Sequence, residues 1–331
     1  MEATWKFFCY SIAMGDKYLQ RIDFKGSLEE KLKEIASVFA LGKYLNHKVI
    51  DVGYEDFNIE LSTHSGKYFI KIFASTRSSE DIKRYVKVME EVISKGIKHP
   101  KLVPTKSGKH LYQDPHDKLQ LVVMEWLDGK SFWDLNETPT KQDRLELIRA
   151  ASLLNQLVYE PPFTYDSWSI NNFPAEFEKC STYLTDEDRN AIKNILTEFQ
   201  KIDHASLPHS LVHGDLISTN VMKTDAGLYF VDFSVANYLP RIQELAVLLS
   251  DLLYDPKDAE NSRTLYEIAK KEYCRYIELT TDELQSLPIY IKAAHAMHII
   301  PPSKFIAGGE DNDENRHWLN LGQSGIELNI Y

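Results

Sequence analysis

Apolar residues first fall with a helical period over 28–41, where Leu32, Ile35 and Phe39 share one face. Ser27 and Glu30 ahead of them form a capping signature. Over 48–73 the period drops to two. Ile50, Val52, Phe57, Ile59 and Leu61 alternate, and His64-Ser65-Gly66 marks the turn into 68–73. A helix is expected over 79–95, with Ser79 as cap and Ile82, Val86, Met89 and Ile93 as its stripe. The unbroken apolar run at 119–127, LQLVVMEWL, reads as a buried strand.

The remainder is mostly helical. The spacing predicts 141–159, capped by Thr140 with Leu147, Ala151, Leu154 and Val158 inward, and 186–202, capped by Thr185 with Ile192, Ile195, Phe199 and Ile202. The aromatic, proline-rich 160–174 between them reads as a loop. Residues 241–254 are apolar nearly all round and predict a buried core helix. Helices over 261–279 and 283–299 follow. The second is opened by a Thr280/Glu283 capping box and carries Pro288, which predicts a kink or a later start. His295 and His298 are expected on different sides of it, and 307–314 is expected to be a solvated acidic turn. Strands followed by helices give an α+β chain.

Between the helical runs lies 211–234, LVHGDLISTNVMKTDAGLYFVDFS. Two short strands, Val221-Met222 and 228–231, flank a turn at 224–227. Folding that hairpin brings Asn220 and Asp232 together at its open end, next to the loop that carries His213, Gly214 and Asp215. One carboxylate beside an amide and carboxylate pair suits phosphoryl transfer. That reaction needs a group to accept or orient a hydroxyl proton, and hard oxygens for magnesium on the phosphates. Asp215 would be the base, with Asn220 and Asp232 as metal ligands.

At these residues the chain resembles the aminoglycoside phosphotransferase/choline kinase family, whose pattern is H-G-D-x-x-x-x-N followed by a strand ending in [I/V]-D-[F/W]. The likeness runs from about Leu41 to about Phe305, nearest the homoserine kinase-like and hydroxylysine kinase-like branch. It implies a two-lobed protein-kinase-like fold, with a small antiparallel-sheet N-lobe over 1–124 that includes an N-terminal helical extension. A hinge at 125–129 and a helical catalytic lobe over 130–331 would follow. It also implies Mg2+, with ATP or GTP as co-substrate and phosphorylation of a small molecule. Residues 53–58 would be the loop over the phosphates, with Asn58 near its end, and Lys71 the strand lysine that neutralises them. The family's helix glutamate falls at Tyr85 in this chain; Glu90 and Glu91 follow, and Glu90 is taken as the partner of Lys71. The Glu125 carbonyl and Leu127 amide would bind the adenine edge, and His213 would brace the catalytic loop. Glu244-Leu245-Ala246 stands where the family often has D-L-A, which gives Glu244 a structural hydrogen-bonding role.

Charge narrows the partners. The net charge of −11 is divided unevenly, +4 over 1–124 and −15 over the rest. An acidic body argues against nucleic acid or an anionic membrane and favours a cationic or zwitterionic hydroxyl acceptor. Cys9, Cys180 and Cys274 lack metal spacing, no signal-peptide pattern opens the chain, and no apolar run is long enough to span a bilayer. A cytoplasmic enzyme, monomer or homodimer, is expected. No GxxxxGK[ST] occurs, so the phosphate site is not a Walker-type loop. The competing expectations are a protein kinase, which lacks its HRD and APE signatures here, and a nucleotide-binding pseudokinase without turnover.

Overall fold

Strands β1 (Tyr44–Ile50), β2 (Phe57–Thr63) and β3 (Gly66–Ile72) form an antiparallel meander, which β6 (Gln120–Glu125) extends beside β3. Short β4 (Leu102–Val103) and β5 (Tyr112–Gln113) both pair with β6. The structure, a computed structural model, describes residues 19–50 and 56–328. They divide into two compact units. The first holds this sheet and comprises the described residues up to Ile93 with His99–Asp128; the second comprises Ser94–Lys98 and the residues from Gly129 onward.

Strand alternation sorts the side chains of the first unit. Phe57, Ile59, Leu61, Ile70 and Ile72 share a core with Leu32 and Ile35 of helix α1 (Leu28–Val38). Ser27 caps that helix through the Glu30 amide, as its spacing predicts. Asn58 and Lys71 are cross-strand partners and so point to the opposite face. Helix α2 (Ser79–Ser94) brings Tyr85 to that face. Its cap is Ser78, one residue earlier than expected, because the Ser78 hydroxyl is the one that reaches the Asp81 amide.

In the second unit, β7 (Gly129–Ser131) pairs with β9 (Val221–Thr224), which pairs with β10 (Gly227–Phe230). A separate pair joins β8 (His209–Val212) to β11 (Asn237–Pro240). Around them lie α3 (Phe132–Leu135), α4 (Lys141–Leu154), α5 (Phe173–Cys180), α6 (Asp186–Phe199) and α7 (Ile242–Ser250). They are followed by α8 (Ala259–Tyr273), α9 (Thr281–Met297), α10 (Ile300–Ala307) and α11 (Asp313–Glu327). All of α7 is buried, as its apolar circumference requires. Polar cross-links tie the helices to the strands. The Asn155 amide bridges Ser210, the Leu211 carbonyl and the Tyr273 hydroxyl, and Arg241 forks onto Glu283 at 2.8 and 2.9 Å.

Four further expectations are corrected. The helix over 141–159 stops at Leu154, and Val158 is 97% exposed, because the apolar period runs past the point where Asn155 turns its amide inward. The loop over 160–174 gives way to helix at Phe173, where Pro174 sits in the first turn and costs no hydrogen bond. His295 and His298 belong to one buried cluster, ring centroids 6.1 Å apart, since positions three apart share a helix face. Helix α9 runs through Pro288 from Thr281, without the later start.

Candidate active site

The loop after β8 is fastened from several sides. Fully buried His213 donates its backbone N–H to Glu244 Oε2 at 2.5 Å. Its ring bridges the Val231 carbonyl through Nε2, at 3.0 Å, and the Asp215 amide through Nδ1, at 3.3 Å. Those partners fix the tautomer, since Nε2 must donate to the carbonyl and Nδ1 must accept from the amide. Burial lowers the imidazole to about 4, so it stays neutral. Gly214 has φ +82°, a left-handed turn that a side chain would strain, although nothing crowds the space around it.

Asn220 closes the loop onto its own start. Its Nδ2 donates to Asp215 Oδ2 at 2.7 Å and to the Asp215 carbonyl at 2.9 Å, while the Val231 amide donates to the Asn220 carbonyl at 3.0 Å. The hairpin β9–β10 thus sets Asn220 one strand from the segment ending in Asp232. Asp232 has φ +63°, rare for a residue with a side chain; such backbone costs about 1–3 kcal/mol and collects at functional sites. Burial pushes the Asp215 carboxyl up to about 7, and the carboxylates of Asp166 and Asp232 add to the rise. Asp215, Asn220 and Asp232 therefore gather at one corner of the second unit.

Glu244 lies fully buried on α7, and burial raises it to about 8 while the His213 and Gly214 amides oppose the rise. It serves as an acceptor for the loop backbone, the structural role expected from its place in the sequence. Asp251, at the end of the same helix, accepts the Ser218 amide at 2.6 Å. Glu146 of α4 ties down the far end of the hairpin, accepting from the Leu228 amide and from Lys98, whose carbonyl takes the Phe230 amide.

In the first unit, Lys71 is buried with its Nζ 3.4 Å from Asp56 and 5.2 Å from the Tyr85 ring centroid. Glu90 is not beside it. Its carboxylate meets His110 at 2.8 Å, because five residues past Tyr85 turn it about 140° around the helix. Asn58, also buried, sits across from Lys71 in the strand register, while residues 53–55 of the expected phosphate loop lie outside the described residues. Glu125 ends β6 with an exposed side chain and its amide on the Lys101 carbonyl, and Leu127 follows past the strand end, partly buried. Sequence reasoning missed Asp56, Arg77, Asp166 and Asp251. Asp56 had one available signal, an acid two residues before Asn58 at the entry to its strand; the others come together only through tertiary folding.

A family model described as "Phosphotransferase enzyme family" matches residues 46–276. A homoserine kinase from Methylobacterium radiotolerans is 25% identical over 272 residues, covering 80% of this chain and 81% of that protein. Among solved structures, the amicoumacin kinase hAmiN in complex with AMP-PNP, Ca2+ and Ami aligns with a TM-score of 0.64 at 18% identity, over 92% of this chain and 93% of that one. The choline kinase LicA from Streptococcus pneumoniae aligns with a TM-score of 0.60 at 15% identity, over 91% and 99%. These likenesses show the shared protein-kinase-like fold, with its antiparallel N-terminal sheet and helical C-terminal region.

Proposed function

The chain belongs to the phosphotransferase enzyme family and is a small-molecule kinase, and on that premise we propose that it moves the γ-phosphate of ATP or GTP to a hydroxyl of a small amino-bearing metabolite. The observation that carries the reading is the Asn220 amide on Asp215 at 2.7 Å with Asp232 alongside.

Asp215 accepts the hydroxyl proton as that oxygen bonds to the γ-phosphorus and the bond to the β-bridging oxygen breaks, releasing the nucleoside diphosphate. A carboxyl raised by burial is a stronger base than one in water, which suits this task. Asn220 fixes the orientation of Asp215, and His213 holds the loop backbone between Val231 and Asp215. Asn220 Oδ1 and the Asp232 carboxylate are hard oxygen donors that fit Mg2+, which when bound neutralises phosphate charge. Among the described residues no group of three or more His, Cys, Asp or Glu forms a protein-only cage, in keeping with an ion that shares its shell with phosphate and water. Lys71 would neutralise the nucleotide phosphates, with Asn58 next to it, and the Glu125 carbonyl and Leu127 amide would take the base edge.

The acceptor class rests on chemistry and on relatives. Asp166 and Asp251 place further negative charge around Asp215, in a chain that carries −15 over residues 125–331. The curated relatives are named homoserine kinases, so homoserine-like amino acids lead the proposed acceptors, ahead of amino alcohols and aminoglycosides. Nucleoside diphosphate release across such a panel, with Mg2+ and ATP or GTP, tests the reading. Turnover is expected with at least one amino-bearing alcohol. Release no faster than nucleotide hydrolysis with every one, at concentrations up to tens of millimolar, contradicts it.

A further inference from the structure

Asp56 precedes β2, its side chain 3% exposed, and four hydrogen bonds converge on its carboxylate. They come from Lys71 Nζ at 3.4 Å, Arg77 Nε at 2.9 Å and Nη2 at 3.2 Å, and the Ala74 amide at 3.1 Å. Arg21 Nη1 donates to the Asp56 carbonyl at 3.2 Å. Beneath Lys71 lies the ring of Tyr85, itself packed edge-on against Phe73 at 5.8 Å. In protein kinases the strand lysine is held by a glutamate of the neighbouring helix. Here that helix offers a ring to Lys71 and commits Glu90 to His110.

We propose that Asp56 is the positioning residue for Lys71, doing from the sheet what a helix carboxylate does elsewhere, with Arg77 locking Asp56 and Tyr85 flooring the ammonium. The proposal rests on the assignment of Lys71 to the nucleotide phosphates made above. A buried ammonium needs an opposite charge, and the carboxylate must itself be held if it is to fix the lysine in one place. The guanidinium fork and the Ala74 amide supply that restraint. Lys71 makes the longest of the four contacts, so it is the partner a phosphate oxygen can most readily share. Asp56 stands immediately before β2 and Lys71 one residue from the end of β3, and since these strands are paired the sheet holds the carboxylate and the lysine side by side.

The test is steady-state kinetics of the full chain with ATP and the acceptor varied separately, on Asp56→Asn, with Lys71→Met as reference. Asp56→Asn is expected to lower kcat/KM for ATP about tenfold or more while KM for the acceptor stays within about twofold. A general folding defect would instead lower kcat and leave KM for ATP alone. Adding Tyr85→Glu to Asp56→Asn returns a carboxylate to Lys71 and is expected to recover at least part of the loss. If Asp56→Asn does not fold, Arg77→Gln carries the test and is expected to give the same selective loss, about threefold or more. Unchanged ATP kinetics in the folded variant, or tighter ATP binding, overturns the proposal provided Lys71→Met is impaired. If Lys71→Met is itself unimpaired, the assignment of Lys71 is what fails.

Discussion

Asn220 donates both to the carboxylate of Asp215, at 2.7 Å, and to the Asp215 carbonyl, at 2.9 Å. With its amino group spent in this way, the amide oxygen is the atom it has left for a cation. On the proposed reading one side chain orients the base and presents a metal donor, and the five-residue spacing is what closes this single turn of chain on itself. Asn220→Ala is expected to lower kcat/KM about 100-fold and to raise the Mg2+ concentration for half-maximal rate. Kinetics across a Mg2+ titration read both effects.

Glu244 gives a pH signature in stability. Its carboxyl is raised from 4.5 to about 8 in the folded state, first by burial. Between those values the folded chain holds a proton that the unfolded chain has released. The stabilisation from that proton is complete below pH 4.5 and is lost as pH climbs through 8, at about 1.4 kcal/mol per pH unit. Glu244→Gln keeps an acceptor for the His213 amide without the proton. Its melting temperature should fall less than the wild type's between pH 5 and pH 8, as differential scanning fluorimetry would show.

The buried imidazoles act in the other direction. Burial lowers His213 to about 4 and His298 to about 3, and His317 beside His298 adds to the latter. The unfolded chain binds these protons from about pH 6.5 downward while the folded chain refuses them. Stability from these groups is full above 6.5 and drains as pH falls toward 3, by about 1.4 kcal/mol per unit for each. Urea unfolding of His298→Leu is expected to show a shallower loss between pH 6 and pH 4.

Helix α11 touches α9 through two glycines. A methyl group on Gly322 would press on the His295 carbonyl, and one on Gly325 would lie inside the His295 ring. Backbone and a fully buried ring cannot yield cheaply, so Gly325→Ala should cost about 1–3 kcal/mol and lower the melting temperature by several degrees. Gly309, with open space around it, has no such neighbour.

Much of this was legible in the chain. The caps at Ser27, Thr140, Thr185 and Thr280 are where Ser or Thr precedes an acid three residues on, because capping is local chemistry. The β9–β10 hairpin follows from its turn residues, and α7 from its apolar circumference. Glu90, expected beside Lys71, lies on His110, and the carboxylate seen near Lys71 is Asp56, just ahead of β2, because a helical period does not say which acid folding brings to a strand lysine. Asp166 and Asp251 reach Asp215 across 49 and 36 residues of chain, and no spacing rule spans such distances. The end of α4 was lost because apolar period alone does not say when an Asn will turn its side chain into the core.

The central claim is that the carboxylate at 215 performs the transfer while other groups hold the nucleotide. Asp215→Asn, compared with wild type by Mg2+–ATP-induced melting shift and by nucleoside diphosphate release with an accepted alcohol, tests it most directly. The variant should keep the melting shift and lose about three orders of magnitude in kcat. Release at the wild-type rate would contradict the account.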